Sequence, residues 1–164
     1  LADVFPDATI VWTHRDPAES VVSTCSLNEA LLKHFMEHET IDRKIVGQKT
    51  LEYAVRQMRR AAEQIEQKGL KLINVYYSEI TKDPKNTVLR LYEQLGIQSN
   101  PEFEKSMDDW LDENARRRKE MSAGGKQALH AYKAEDYGLT NAGIREAMKD
   151  YIERFNVPLN SKLK

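Results

Sequence analysis

The chain has 164 residues, 40% hydrophobic and 31% charged, which suits one compact, water-facing domain and leaves little room for a second. Its formal net charge of −1 excludes a global field that would recruit nucleic acid or an anionic membrane, so any anion site must be local. The lone cysteine, Cys25, excludes an internal disulfide framework and a cysteine-based structural zinc site, and a reducing, cytoplasmic setting is the simpler expectation.

The chain opens on Leu1-Ala2-Asp3-Val4-Phe5-Pro6, with no initiator Met and no signal-peptide pattern. It then enters a buried-type strand almost at once, as a truncated, processed or excised chain would. Ala8-Thr9-Ile10-Val11-Trp12-Thr13 is short, apolar and β-branched and predicts that strand. Asp16-Pro17-Ala18-Glu19 predicts a helix start, with Asp16 as cap, Pro17 at the first helical position and Glu19 at capping-box spacing. The helix should run through Val21, Val22 and Leu27 towards Leu31 and Leu32. The polar stretch from Lys33 to Gln48 has no clear period and fits a helix end followed by a mobile segment.

A second helix is marked by Leu51, Ala54, Val55, Met58, Ala62 and Ile65 on one face, and Gly69 suits its left-handed end. Leu70 to Tyr77 predicts a second strand. Asp83-Pro84 starts a helix carried by Val88, Leu91 and Leu95 and stopped by Gly96, and Asn100-Pro101 starts another through Phe103, Met107 and Leu111. A basic, Gly-containing stretch follows, Arg116-Arg117-Arg118-Lys119 and then Gly124-Gly125-Lys126. A last helix from near Thr140 should bury Ile144, Met148, Tyr151, Ile152 and Phe155. No apolar run approaches the roughly 20 residues that span a bilayer.

Two strands joined by a long helical crossover predict a parallel α/β sheet. Two strands make a poor sheet, because parallel sheets need both faces covered and several neighbours. The remaining strands are therefore expected upstream, and residues 1–164 are expected to form one incomplete domain. An uncovered parallel sheet would also favour association, so a homo-oligomer is among the expectations.

Arg15 falls just past the carboxyl end of the first strand and just before a helix, the edge where open α/β sheets bind ligands. Free N–H groups and the dipole at the helix start favour an anion there. An arginine adds a forked, bidentate donor. Ser20, Ser23 and Thr24 add hydroxyls on the first two turns. The pattern points to phosphate or sulfate, and a capped helix beside a solvated arginine explains it about equally well.

The whole segment is more specific. Phe5-Pro6-Asp7-Ala8-Thr9-Ile10-Val11-Trp12-Thr13-His14-Arg15-Asp16-Pro17 resembles the 3′-phosphate segment of sulfotransferases. The resemblance implies that an Arg, with a Ser eight residues later, holds the 3′-phosphate of 3′-phosphoadenosine 5′-phosphosulfate (PAPS); Arg15 and Ser23 have that spacing. Val75-Tyr76-Tyr77-Ser78-Glu79-Ile80-Thr81-Lys82-Asp83-Pro84 is similar to the family's second-strand segment, which implies that Tyr77 lies near the adenine. Leu91-Tyr92-Glu93-Gln94-Leu95-Gly96 resembles the helix end that follows. His130-Ala131-Tyr132 with Tyr137-Gly138-Leu139 resembles the tail of the bacterial-type branch. Gly124, Gly125 and Lys126 match a loop that folds over the 3′-phosphate, with Arg117 or Arg118 as added charge; a solvated basic helix end is the equal alternative.

The resemblance implies a P-loop-like parallel-sheet fold and transfer of a sulfuryl group from PAPS to the hydroxyl or amine of a small-molecule acceptor. No segment of this sequence fits the family's Gly-rich phosphosulfate loop or its catalytic His segment, so the catalytic residues are unknown and the chain alone is expected to be inactive. Residues 33–49 are expected near the acceptor. No metal is expected: His34 and His38 are four apart but have no obvious third ligand. Cys25 reads as a buried small hydrophobe, Trp12 as core and Trp110 as half buried. The rival readings are a non-catalytic nucleotide-binding module and a helical interaction module.

Overall fold

The computed structural model describes residues 3–123 and 132–163, without the side chains of His38, Ser122 and Ala123. In chain order the elements are β1 (Thr9–His14), α1 (Pro17–Leu32), α2 (Arg43–Gln67), β2 (Lys71–Tyr76), α3 (Tyr77–Lys82), α4 (Pro84–Leu95), α5 (Pro101–Ala123), α6 (Asn141–Ala147) and α7 (Lys149–Arg154). They fall into two compact units, Leu1–Tyr76 with Tyr132–Lys164, and Tyr77–Ala131.

In the first unit β1 and β2 pair in parallel, from Thr9 opposite Lys71 to His14 opposite Tyr76. The two helices between them form the crossover that parallel pairing requires. Asp16 caps α1 by accepting the Ala18 N–H at 2.9 Å, and Pro17 fits the first turn because it has no N–H to satisfy. Glu19 does not close the expected capping box; its carboxylate accepts from Arg15 and Asn160 instead.

The polar stretch 33–48 has more structure than its sequence suggests. It holds a 3₁₀ turn, His38–Thr40, and the start of α2, whose cap Asp42 accepts the Lys44 N–H at 2.8 Å. These first turns carry little apolar periodicity, yet Val46 and Gly47 are buried. A Cβ on Gly47 would lie 2.2 Å from the Tyr137 carbonyl oxygen, so only glycine permits this approach. At the other end Gly69 has φ +58°, the left-handed conformation expected of a helix stop.

Two core clusters hold the unit together. Val21, Val22 and Cys25 of α1 meet Tyr137, Ile144 and Met148 in one; Ala62, Phe155 and Val157 form the other against Trp12 and Leu72. The last helix is not continuous. The backbone leaves the helical region at Met148 (φ −109°, ψ 20°), separating α6 from α7. The break lets Ile144 and Met148 serve the first cluster while Phe155 serves the second.

The second unit contains α3, α4 and α5. Asp83 caps α4 and Gly96 (φ 71°) ends it. Tyr92 stacks on Phe103 with ring centroids 4.9 Å apart, and Lys85 pairs with Asp108 at 2.7 Å. Helix α5 continues through Arg116 to Lys119, so this basic run is helix body. Trp110 is 64% exposed, more than the half burial expected.

Candidate functional site

The carboxyl end of β1 is fixed from behind. His14, only 1% exposed, lies stacked against Trp12 and Phe155. Its Nε2 is 2.9 Å from Asn74 Oδ1, an acceptor, so Nε2 carries the proton. Nδ1 then accepts from the Tyr151 hydroxyl, also at 2.9 Å. That hydroxyl in turn accepts from the backbone N–H of Arg15. Burial keeps His14 below its usual range and neutral. Both of its nitrogens are committed, so it orients Arg15 and has no free face for proton transfer.

The start of α1 is occupied by its own cap. The Ala18 N–H goes to Asp16 Oδ1, and those of Glu19 and Ser20 go to the Asp16 carbonyl at 2.9 and 3.1 Å. Pro17 has none. The free N–H groups expected to greet an anion are therefore spent, and only the dipole and the side chains remain. Asp16 is 2% exposed, and Arg145 grips it with Nη2 to Oδ2 at 2.7 Å and Nε to Oδ1 at 3.3 Å. The Asn160 N–H adds a bond at 2.8 Å. Burial alone would push the Asp16 carboxyl up, but these donors outweigh it and hold it below the ordinary value.

Arg15 is partly exposed and its Nε donates to Glu19 Oε2 at 2.8 Å. A guanidinium has five N–H donors, so this contact uses one and fixes the plane of the fork. Glu19 is itself held by Asn160 Nδ2 at 2.6 Å. Ser20 and Thr24 donate to carbonyls of their own helix. Ser23 does not; its Oγ accepts from the Tyr132 hydroxyl at 2.9 Å.

The tail segment that carries Tyr132 is clamped to α1 and α2 through one carboxylate. Glu29, 4% exposed, accepts from Arg43 at two oxygens (3.0 and 2.9 Å), from the Tyr137 hydroxyl at 3.0 Å and pairs with Lys33 at 2.8 Å. The bonds from Arg43 lead in holding its carboxyl down at about 2. Burial first, then Glu29, raise the Tyr137 hydroxyl to about 12. The sequence marked Tyr137 but neither Glu29 nor Arg43, because a Glu within a helix usually reads as a solvated face.

Of the site residues expected from sequence, Arg15 and Ser23 both belong to the first unit, at the start and second turn of α1. Tyr77 is the first residue of α3 in the second unit, directly after β2, and is 40% exposed. Lys126, with Gly124, Gly125 and His130, lies outside the described residues. Arg117 pairs with Glu113 on its own helix at 2.8 Å. His34 and His38 do not share a helix, since α1 ends at Leu32 and His38 begins a separate turn. Among the described residues no group of three potential ligands could hold a metal, and no helix is long and apolar enough to cross a membrane. Cys25 is 0% exposed and burial raises its thiol above the usual range, as suits core packing. A groove of about 940 Å³ runs along α2, lined in part by Lys44, Gln48, Leu51, Arg56 and Leu139; neither Arg15 nor Ser23 lines it.

The family model described as Sulfotransferase family matches residues 1–102. The crystal structure of sulfotransferase STF9 from Mycobacterium avium is similar at 28% identity with a TM-score of 0.76, over 97% of this chain and 39% of that one. The chain thus spans 39% of the length of that relative. No curated protein matches. The helix-rich α/β reading with two parallel strands is borne out, as part of the P-loop-like sulfotransferase fold. The segments quoted from Phe5 to Gly96 lie inside the matched region, and the chain belongs to the sulfotransferase family.

Proposed function

We propose that this chain supplies the 3′-phosphate and adenine side of a PAPS site, in transfer of a sulfuryl group to an acceptor hydroxyl or amine. The observation that carries the reading is the placement of Arg15. It stands at the carboxyl end of a parallel strand, with its backbone fixed by Tyr151 and its fork oriented by Glu19. Ser23 follows on the same helix. The donor set fits a phosphate: a forked cation and a hydroxyl, with the helix dipole behind them. Because the helix N–H groups are used internally, the side chains carry the recognition. Tyr77 is the adenine contact in this reading and Lys126 an added cation. PAPS supplies the sulfuryl group when bound, and 3′-phosphate contacts anchor the leaving nucleotide.

The same proposal places the protein in the cytoplasm, in keeping with Cys25 as a free buried thiol, with a small-molecule acceptor. It also makes the chain inactive by itself, because no segment here fits a phosphosulfate loop; turnover by the chain alone would contradict that part. The direct test is calorimetric titration with adenosine 3′,5′-bisphosphate. Wild type should bind saturably, and Arg15→Ala should weaken binding about 10- to 100-fold, the range for a charge-assisted bond. Equal affinity in the two proteins would refute the assignment of Arg15.

A further inference from the structure

Three hydroxyls stand on the first two turns of α1, and they differ in where their protons go. Ser20 donates to the Asp16 carbonyl at 3.4 Å, and Thr24 to the Ser20 carbonyl at 2.8 Å. A hydroxyl has one proton, so that of Thr24 is committed to the helix, while the Ser20 contact is long and turned towards its own backbone. Ser23 stands apart because it is bonded from outside the helix. The Tyr132 hydroxyl meets its Oγ at 2.9 Å, across 109 positions of sequence. A phenol is a stronger acid than an alkyl alcohol, so Tyr132 is the donor of the pair and Ser23 the acceptor. A hydroxyl that accepts one hydrogen bond becomes a better donor of its own. Among the described residues no acceptor takes the Ser23 proton, which leaves it for a third party.

Tyr132 is not at this position by accident of a mobile side chain. It packs against the core of α1 and α2, and the next residues form a closed turn in which the Lys133 N–H bonds Asp136 Oδ2 at 2.9 Å. Five residues on, Tyr137 is bound to the Glu29 carboxylate. The tail is thus nailed to α1 on both sides of its turn.

We propose that Tyr132 is a positioning residue of the 3′-phosphate subsite: its hydroxyl donates to Ser23 Oγ and so turns Ser23 into an oriented donor for the phosphate. This inference rests on the reading of Arg15 and Ser23 given above. It explains why the family-like tail must return to α1, and it assigns Tyr132 a chemical task separate from packing.

A double-mutant cycle tests it. Wild type, Ser23→Ala, Tyr132→Phe and the double variant are titrated with adenosine 3′,5′-bisphosphate and with adenosine 5′-monophosphate, which lacks the 3′-phosphate. Tyr132→Phe should weaken the bisphosphate about five- to tenfold and Ser23→Ala at least as much. The double variant should be no weaker than Ser23→Ala, and the monophosphate affinity should not move. Additive losses, or equal losses for both nucleotides, would overturn the proposal, since each describes a role that bypasses Ser23. A loss with Ser23→Ala but none with Tyr132→Phe overturns it alone. No loss with either Arg15→Ala or Ser23→Ala overturns the site reading and this inference with it. If Tyr132→Phe melts early, 3-fluorotyrosine at position 132 keeps the shape and sharpens the donor at a pH where it stays protonated. Tighter bisphosphate binding then supports the proposal and unchanged binding overturns it.

Discussion

Arg15, Asp16 and His14 are neighbours in sequence with three different tasks. Arg15 faces outward as the candidate anion donor, Asp16 turns in to Arg145, and His14 turns in to Tyr151 and Asn74. Asp16 is the residue on which the site geometry depends most. It caps α1, pairs with Arg145 and receives the Asn160 N–H. Asp16→Asn keeps the shape but leaves Arg145 without a charged partner. That change should cost on the order of 2–3 kcal/mol, discounted from a fully buried pair because Arg145 keeps 20% side-chain exposure. Urea unfolding of the two proteins checks it, and a midpoint unchanged in Asp16→Asn would show that the pair is dispensable. The cap and the outward Arg15 were legible in the sequence, because both are local signals. The exhaustion of the helix N–H groups depends on the turn of the backbone at Asp16, and the pairing of Asp16 with Arg145 spans 129 positions, so neither is a local signal.

Elements succeeded or failed in the sequence according to how local their determinants were. Strand β1, the cap of α1, and the stops at Gly69 and Gly96 were readable from a few adjacent residues. The start of α2 was missed because its first turns bury Val46 and Gly47 without an apolar stripe. The break at Met148 was missed because an unbroken apolar period hides a bend that serves two clusters. Gly47 makes the point most sharply. In an isolated helix Gly→Ala gains about 1 kcal/mol. Here the new Cβ would sit 2.2 Å from the Tyr137 carbonyl oxygen and 2.9 Å from its Cβ. Gly47→Ala should therefore destabilise by about 2 kcal/mol or more, the scale of core overpacking. A melting temperature at or above wild type would mean that α2 and the tail are not pressed together here.

At the scale of the whole molecule, the buried carboxylates and the imidazole of the first unit all lower stability as pH falls. The folded Glu29 carboxyl is held at about 2 against an ordinary 4.5, so its contribution is full above 4.5 and fades as pH falls towards 2. Asp16, held below 3.8, acts with the same sign. His14, kept neutral by burial, begins to cost stability as pH drops below 6.5, because the unfolded chain takes up the proton first. Urea midpoints should thus decline steadily from pH 7 downward, and Glu29→Gln should flatten the decline between 4.5 and about 2. A parallel decline in Glu29→Gln would show that the Arg43–Glu29–Tyr137 clamp is not formed in solution.

The central claim is that this chain recognises a 3′-phosphate through Arg15 and Ser23. The most direct measurement is the ratio of affinities for adenosine 3′,5′-bisphosphate and adenosine 5′-monophosphate, in wild type and in Arg15→Ala. The account predicts a preference for the bisphosphate of about tenfold or more that vanishes in the variant. Equal affinities in wild type, or a preference that survives in Arg15→Ala, would contradict it.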